Sequence, residues 1–547
     1  MKTETFKCID LFAGIGGFRI AAERCGGECI GYSEINSDAI STYESNYPSS
    51  RGTNFGDITK ISDLPEHDLM TGGVPCQSWS IAGRNLGFDD DRGELWNDAI
   101  YLLNKSRPKA FIFENVKGLV DPRNQKALDY ILNRIRNAGY FAQAHVLNAF
   151  DYGVPQSRVR VYIVGFREKK WMDSFRLPEI ERGRLCLRDI IDDMNDSCAS
   201  SRWMTQPVRL CAGATSLSKN NNGFNDYFLF NDLRNGNTTI HSWDIIKTSC
   251  KEKRICLLLL RNRRKDDYGV LDGNPLSIQQ FQELDQTIVA GDIEGLCHKG
   301  ILRPEIYRYR ILRNDWSGLD DVEKLVLGFG RNGFLVPDEV SVNREIKTAR
   351  IDLFSVCSAL VSKRVLECVE TRYDFKNTKI STGLFGVNRI FLPSSNIFPT
   401  LVASDTNDFI TPVALEAVDA ETYRKQFLDS VYKPKRFRKI TQVEACRIQG
   451  FPDDFKLPIG RSRWMKLIGN SVAVHVVQRL VQSICDTGAF GEPFVKTQRC
   501  DKYEVRKDGQ LQMLLAVERK KAKLTSTQKN KGMKGKNYSA KRKAKSR

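Results

Sequence analysis

The chain lacks the features that mark membrane, secreted and zinc-binding proteins. Its apolar runs stay short of the twenty or so residues that a membrane-spanning helix needs, and its N-terminus has no signal-peptide pattern. Only five histidines occur, and none of the 15 cysteines forms a Cys-x-x-Cys pair, so we expect no metal site. The cysteines show no disulfide pattern, which indicates a reducing compartment. No internal repeat is evident, and we expect no membrane partner.

Acidic residues are missing from the C-terminal tail. The whole chain has a formal net charge of +18, and residues 519–547 hold thirteen lysines and arginines without one acid. Because this stretch is also poor in apolar residues, we predict that it is disordered. A solvated, solubilising tail is one interpretation. The interpretation that we prefer is non-specific contact with the phosphates of a nucleic acid.

Three short motifs follow one another in the first part of the chain. They are Pro75-Cys76-Gln77, Glu114-Asn115-Val116 and Gln156-x-Arg158-x-Arg160, and the glycine-rich stretch from Asp10 to Gly17 precedes them. Singly, each has an ordinary alternative: a buried cysteine, a carboxylate at a helix N-terminus and a solvated strand edge. Pro75 argues against the first, because a proline stiffens the loop that holds the thiol. Their joint occurrence in this order favours a catalytic site.

In this order the motifs resemble those of the cytosine-5 DNA methyltransferases. The resemblance resumes near the other end of the chain, with Thr441 to Phe455 and Gly469-Asn470-Ser471-Val472. One alternative is an RNA cytosine-5 methyltransferase, although the Cys-Phe-Thr tripeptide of the tRNA-modifying relatives is absent. A second is a catalytically silent nucleic-acid-binding regulator on the same fold. A nicotinamide-dependent oxidoreductase is remote, because the third glycine of a dinucleotide fingerprint is missing.

The resemblance implies transfer of a methyl group from S-adenosylmethionine to C5 of a flipped-out cytosine in double-stranded DNA. C5 becomes nucleophilic only after a nucleophile adds at C6, and a thiolate such as that of Cys76 is well suited to this addition. N3 must then be protonated or strongly hydrogen-bonded, which predicts Glu114 as the acid. Arg158 and Arg160 are the predicted cationic donors to O2 of the base.

A glycine loop between a predicted strand and a predicted helix lets a ligand approach the backbone closely. The resemblance implies that Glu34 holds the donor ribose and that Asp57 meets the adenine amino group, although Asp57 alone reads as a turn residue. The predicted site for S-adenosylmethionine, or its product S-adenosylhomocysteine, comprises Phe12, Ala13, Gly14, Gly16, Glu34, Ile35, Asp57, Ile58, Pro75, Leu95, Asn470 and Val472.

Strand-like and amphipathic stretches alternate over residues 1–168, which predicts an α/β fold with a doubly wound, mostly parallel sheet, the S-adenosylmethionine-dependent methyltransferase fold. Residues 169–437 interrupt this pattern and are predicted to form a large inserted target-recognition domain. Residues 438–490 return to the catalytic domain, starting with a capping-box pattern at Thr441 to Glu444, and 491–547 form an extension with the basic tail. The residues predicted to contact DNA are Gln77, Ser80, Gln156, Arg389, Thr400 and Leu401.

Little sequence precedes the first predicted strand, and we expect no chromatin-reading domain there. The resemblance then favours a prokaryotic or phage enzyme that acts as a monomer in the cytoplasm, at the nucleoid. It is either paired with a restriction endonuclease that acts on the same site or stands alone. Since Arg, Asn and Gln are abundant throughout the insert, the sequence singles out neither the base-reading residues nor the recognition sequence.

Overall fold

The structure is a computed structural model that describes residues 5–75, 91–181, 186–192, 227–231, 238–269, 273–341, 343–376, 384, 386–395, 397–417 and 419–491. Three predicted site residues, Cys76, Gln77 and Ser80, lie outside these ranges, and so does the basic tail. Within the ranges, no helix combines the length and the apolar character needed to cross a membrane.

The secondary structure of the described ranges mixes strands and helices along the whole chain. The strands are β1 Phe6–Leu11, β2 Gly27–Ser33, β3 Leu69–Gly73, β4 Ala110–Val116, β5 Phe141–Asn148, β6 Gln156–Ser157, β7 Val159–Phe166, β8 Tyr227–Phe230, β9 Thr239–Ile240, β10 Leu302–Ile311, β11 Phe334–Leu335, β12 Leu366–Phe375, β13 Arg389–Phe391, β14 Phe398–Pro399 and β15 Asp408–Ile410. The helices are α1 Gly17–Glu23, α2 Ser37–Asn46, α3 Asp91–Ser106, α4 Gln125–Asn137, α5 Lys169–Ser174, α6 Ser242–Ile245, α7 Cys250–Asn262, α8 Ile278–Leu284, α9 Ala290–His298, α10 Asp321–Gly328, α11 Pro337–Ser341, α12 Arg344–Ala349, α13 Leu353–Ser362, α14 Ala420–Phe427, α15 Gln442–Gln449, α16 Arg461–Asn470 and α17 Val474–Cys485.

The chain divides into two compact units. The first comprises Met1–Asp192, Asn396–Asp405 and Thr441–Arg547, and the second comprises Asp193–Ser395 and Thr406–Ile440. Asn396–Asp405, called the returning segment below, therefore belongs to the first unit although both of its neighbours along the chain belong to the second. It lies inside the range 169–437 that the sequence assigns to the insert.

The first unit is built on a six-stranded sheet in the order β2-β1-β3-β4-β7-β5. Strands β1 to β4 pair in parallel, whereas β7 runs antiparallel to both of its neighbours, β4 and β5. The central strands are buried almost without interruption, as in sheets that helices cover on both faces. Trp96 and Ile100 of α3 and Ile131 of α4 pack with Phe111 and Phe113 of β4 in one core. The predicted α/β class with a mostly parallel sheet is confirmed.

The C-terminal helices of the first unit complete the same body. Helix α17 packs on α1, and Phe490, just after α17, stacks on Phe6 of β1 with ring centroids 4.3 Å apart. Helix α15 starts with the predicted capping box: Thr441 Oγ1 accepts from the Glu444 amide at 3.2 Å, and Glu444 Oε2 accepts from the Thr441 amide at 2.7 Å.

Among its described residues, the second unit has two sheets and three apolar clusters. One sheet has the order β11-β10-β12 and the other β15-β13-β8-β9. Helices α7 to α9 surround a cluster that includes Leu259 and Phe281. Phe228 of β8 stacks on Phe427 of α14 at 3.7 Å in a second cluster, and Leu360 of α13 belongs to a third, against the end of β12.

The end of α15 depends on a crowded glycine. Gly450 has φ +90°, and a Cβ there would lie 2.3 Å from His475 Nδ1 and 3.2 Å from Val474 Cβ. We expect Gly450→Ala to destabilise the first unit by about 3 kcal/mol, because left-handed strain of about 1–2 kcal/mol adds to the cost of moving buried neighbours. Thermal unfolding of the purified protein measures this.

Gly488 is the matched control, since it has φ +74° but no atom within 4 Å of its hypothetical Cβ. Gly488→Ala should cost only the left-handed strain, about 1–2 kcal/mol. Equal losses in the two variants would contradict the crowding at Gly450.

Candidate active site

A cavity of about 340 Å³ opens at the carboxyl ends of the parallel strands of the first unit. Ligands of open α/β sheets bind at this edge, and the volume is in the range of small-molecule sites. The structure brings fourteen of the sequence-predicted residues to its wall: Phe12, Ala13, Gly14, Glu34, Ile35, Asp57, Ile58, Pro75, Leu95, Glu114, Arg158, Arg160, Asn470 and Val472. Gly16 lies behind the wall, where a Cβ would come within 2.7 Å of the Tyr47 ring.

The loop after β1 has a backbone that L-residues rarely adopt. Phe12 has φ 52°, Gly14 φ 56° and Gly16 φ 89°. No atom lies within 4 Å of a hypothetical Cβ on Gly14, so this glycine leaves open space at the cavity wall. A Cβ on Gly17, which also lines the cavity, would come within 2.8 Å of Val472 Cγ2. The loop is therefore open at Gly14 and tightly packed at Gly17, as a closely bound ligand requires.

The carboxylate of Glu34 holds this loop against the end of β2. Its Oε2 accepts from the Gly14 amide at 2.9 Å, and its Oε1 accepts from the amides of Ile35 and Asn36 at 2.8 Å each. The next side chain, Ile35, is 72% exposed although it lines the cavity. A fixed carboxylate beside an uncovered apolar side chain suits a ligand that combines hydroxyl groups with a flat apolar part.

Asn54 is a site residue that the sequence analysis missed. Its amide brackets the backbone of Glu34, since Nδ2 donates to the Glu34 carbonyl at 3.1 Å and Oδ1 accepts from the Glu34 amide at 3.2 Å. The same Oδ1 accepts from the Gly56 amide at 2.9 Å. Asn54 thus ties the two cavity-lining loops together, and its only signal in the sequence is its place in a turn-rich stretch before Gly56.

Asp57 is both a turn residue and a residue of the cavity wall, the two roles that the sequence suggests for it. Its Oδ1 accepts from the amide and the hydroxyl of Thr59, at 3.0 and 2.9 Å, and so caps the short 3₁₀ turn Ile58–Lys60. The residue also lines the cavity. The cap fixes the direction of the carboxylate at the wall.

Glu114 and Arg160 form an ion pair at the cavity wall. The antiparallel register pairs Glu114 of β4 with Tyr162 of β7 and Val116 with Arg160, and this brings Arg160 Nε to 3.0 Å from Glu114 Oε1. Burial raises the pKa of the Glu114 carboxyl above its ordinary value, and the charges of Arg160 and Arg158 oppose the rise. A carboxyl in this setting holds its proton to a higher pH than an exposed one, which suits an acid.

The neighbour of Glu114 fixes the loop that leads to Cys76. Asn115 is buried, and its Nδ2 donates to the carbonyl of Val74 at 3.2 Å. Pro75 follows and lines the cavity. The end of β3 is therefore held beside the end of β4, and Pro75 immediately precedes the predicted nucleophile in the sequence.

Arg158 lies on the cavity wall, but its guanidinium is directed into the protein. It is buried and donates to the carbonyls of Leu401, at 3.1 Å, of Gly469, at 3.2 Å, and of Ser471. The two arginines of the motif thus have different roles in the protein: Arg160 forms the ion pair with Glu114, and Arg158 donates to three backbone carbonyls.

The other predicted DNA contacts that the structure describes are bonded within the protein. Gln156 is fully buried, Leu401 is buried, and the hydroxyl of Thr400 donates to the Ser157 carbonyl. In the second unit, Arg389 on β13 makes a two-pronged ion pair with Asp408, at 2.7 and 2.8 Å. Gln156, Thr400 and Leu401 meet in one place, whereas Arg389 belongs to the other unit.

A family profile and several known proteins are similar in sequence to this chain over most of its length. The family profile "C-5 cytosine-specific DNA methylase" matches residues 6–486. The Type II methyltransferase M.HgiBI of Herpetosiphon aurantiacus is 39% identical over 490 residues, which cover 88% of this chain and 97% of that protein. M.BanI of Aneurinibacillus aneurinilyticus is 29% identical over 506 residues, 87% of this chain and 95% of that protein. M.HpaII of Haemophilus parainfluenzae is 46% identical over 182 residues, 32% of this chain and 50% of that protein.

Proposed function

This chain belongs to the family of C-5 cytosine-specific DNA methylases, and we propose that it methylates a flipped-out cytosine in a specific double-stranded DNA sequence through a covalent bond between Cys76 and C6. The activity of the family is DNA cytosine-5 methylation with S-adenosylmethionine as the methyl donor. The observation that carries the mechanism is the ion pair of the buried Glu114 with Arg160, at the strand edge where Pro75 precedes Cys76.

The donor cavity has the groups that S-adenosylmethionine requires. When bound, this donor supplies an electrophilic methyl group. We assign its ribose hydroxyls to the Glu34 carboxylate, its adenine ring to the uncovered side chain of Ile35 and its adenine amino group to Asp57. Gly14 supports this assignment, because the open space on its face admits a ligand against the backbone. Asn470 and Val472 line the cavity as well and are assigned to the methionine end.

The cytosine is activated by residues from three strand ends. The Cys76 thiolate adds to C6, which pushes electrons toward N3, and Glu114 donates its proton there. Arg160 is placed to donate to O2, and its positive charge offsets the charge that develops on the ring. After methylation, a base removes the proton from C5, N3 returns its proton to the Glu114 carboxylate, and the bond from C6 to sulfur breaks, which restores the thiolate, the acid and the aromatic ring.

We assign sequence reading to the second unit, as the predicted target-recognition domain. This assignment is supported by the internal bonding of Gln156, Thr400 and Leu401 in the first unit, which leaves few of the predicted DNA contacts there available to base edges. The relatives are named Type II methyltransferases, which supports a restriction–modification role. We infer that the protein is a cytoplasmic monomer of a bacterium or phage. Its endonuclease partner acts on the same DNA site and does not contact the methyltransferase directly.

Bisulfite sequencing of DNA from cells that express the protein tests the proposed function as a whole. We expect protected cytosines at one recurring short sequence and none in cells that express the Cys76→Ser variant. Protection spread over all cytosines alike would contradict sequence specificity. Methylation of RNA without methylation of DNA would favour the alternative substrate.

Cys76→Ser should abolish methyl transfer while donor binding persists, because a serine hydroxyl is not ionised at neutral pH. A duplex with 5-fluorocytosine at the target should trap a heat-stable, donor-dependent adduct of the unaltered enzyme on a denaturing gel, since C5 then carries no removable proton. Cys250→Ser is the control, because Cys250 is an exposed cysteine in the second unit. An adduct that forms equally well with Cys76→Ser would assign the nucleophile elsewhere.

Glu114→Gln should lower the single-turnover rate by about 10² or more, with a far smaller change in DNA affinity, because it removes one general acid. Since the acid form is the active one and its pKa is raised, the rate of the unaltered enzyme should fall as pH rises through that pKa. Glu114→Gln should lose this descending limb. Glu181→Gln, which changes another glutamate paired with an arginine, is the control and should leave the rate within about twofold.

The target base must leave the helix before its C6 reaches a thiolate, at a cost of a few kcal/mol. A 2-aminopurine at the target position should therefore brighten when the enzyme binds a cognate duplex. A mismatch opposite the target should tighten binding, because it weakens the pair that must open. Unchanged fluorescence together with equal affinity for matched and mismatched duplexes would contradict base flipping.

A further inference from the structure

Arg158 joins three separate stretches of the first unit. Its guanidinium donates to the carbonyl of Leu401 from one nitrogen and to those of Gly469 and Ser471 from another. The residue is only 3% exposed, so water does not replace these bonds. A guanidinium has five donors in a rigid plane and can serve several carbonyls at once, whereas a lysine ammonium is a compact group on a flexible stem.

A second series of hydrogen bonds between buried polar groups ends at the Ser471 carbonyl, to which Arg158 also donates. Gln156 Nε2 donates to Gln449 Oε1 at 2.9 Å, and Gln449 Nε2 donates to the Ser471 carbonyl at 3.2 Å. Both glutamines are fully buried. Ser471 therefore accepts from Arg158 and Gln449 together, and the stretch Gly469–Ser471 is held from two directions.

The returning segment is docked against these groups. Its strand β14 pairs with β6, with Phe398 opposite Gln156, and the Thr400 hydroxyl donates to the Ser157 carbonyl. Its backbone also approaches Gly469 so closely that a Cβ there would lie 2.5 Å from the carbonyl carbon of Val402. Both ends of the segment continue into the second unit along the chain.

The bonds of Arg158 bracket a residue of the donor cavity. Asn470 lines the cavity, and Arg158 donates to the carbonyls on either side of it. A ligand that fixes Asn470 fixes these carbonyls, and through Arg158 it fixes the carbonyl of Leu401. Conversely, a partner that fixes the returning segment acts on Asn470 by the same route.

We propose that Arg158 is a positioning residue that couples the donor end of the cavity to the returning segment. This inference rests on the proposed function, because it takes the cavity ligand to be the methyl donor and the ligand of the second unit to be DNA. Donor binding strengthens DNA binding through Arg158, and DNA strengthens donor binding by the same factor, as linkage requires. Arg160, which contacts Glu114, retains the role at the base.

The coupling is measured as the ratio of the dissociation constants for a cognate duplex without and with S-adenosylhomocysteine, by fluorescence anisotropy. The unaltered protein should give a ratio of at least about 5, the lower end of ordinary coupling between sites. Arg158→Lys should reduce this ratio toward 1 and raise the KM for the donor. Because this ratio is measured in binding alone, it reports the coupling separately from any effect on kcat of a residue that also lines the cavity.

Arg167→Lys is the matched control. Arg167 is also a buried arginine of the first unit, and its guanidinium also donates to a backbone carbonyl, that of Arg107 at 2.9 Å, but it does not line the cavity. It should lower thermal stability as Arg158→Lys does and leave the ratio unchanged. A ratio that falls equally in both variants would mean that general destabilisation, not coupling, is responsible, and would overturn the inference.

Thr400→Val provides a second, milder variant if Arg158→Lys does not fold. It removes the hydroxyl that docks the returning segment on Ser157 and keeps the shape of the side chain. The ratio should fall in the same direction, by a smaller factor. A ratio of 1 in the unaltered protein, or an unchanged ratio in the variants, overturns the coupling. An unaltered protein that binds no donor or methylates no DNA overturns the proposed function instead.

Discussion

The antiparallel pairing of β7 with β4 is the constraint on which the site depends. In this register Val116 lies opposite Arg160, so that a guanidinium from one strand reaches the carboxyl of Glu114 on the next. A carboxyl buried without a cationic partner would be costly to ionise. A cationic partner whose attraction outweighed the cost of burial would instead keep the carboxyl ionised at all working pH values. Burial and the two arginines oppose each other here, and the pKa of Glu114 ends above its ordinary value.

The parallel strands place the other functional groups around this pair. Because β1 to β4 run in one direction, the loops that follow them open at one edge, and the glycine loop, Glu34, Pro75 and Glu114 meet although they are far apart in sequence. The glycine loop then needs a backbone with positive φ, and Glu34 holds it there by accepting from the Gly14 amide. The ligand cavity and the Glu114–Arg160 pair therefore lie side by side along the same edge of the sheet.

Behind the cavity, buried polar side chains join separate segments of the first unit. Arg158, Gln156 and Gln449 bond to carbonyls of segments that come from three parts of the chain. Such groups are costly unless they are satisfied, so they fix one arrangement of the segments more strictly than apolar packing does. Because this arrangement is so closely fixed, the junction is suited to transmit a displacement between the stretch Gly469–Ser471 and the returning segment.

The sequence by itself determined the family, the class of fold and most of the cavity wall. Short motifs carry this information, because a glycine loop, a Pro-Cys loop and a carboxylate at a strand end are each required by local backbone or by chemistry. The capping box at Thr441 is of the same kind, since its partners are three residues apart. Eleven of the twelve predicted donor-site residues line the cavity, and Gly16 supports the loop from behind.

Only the tertiary structure decided which partners the polar side chains have. Gln156, Thr400 and Leu401 are predicted from the sequence to contact DNA. In the structure Gln156 and Leu401 are buried and the Thr400 hydroxyl donates to the Ser157 carbonyl, because the returning segment docks beside β6. Arg158 and Arg160 are two residues apart, and their different partners follow from contacts with Leu401, Gly469 and Ser471 that no local pattern encodes. Asn54 gave no signal because its role depends on the distance between two loops. Pairings across hundreds of residues are set by packing, and packing is settled only when the whole unit folds.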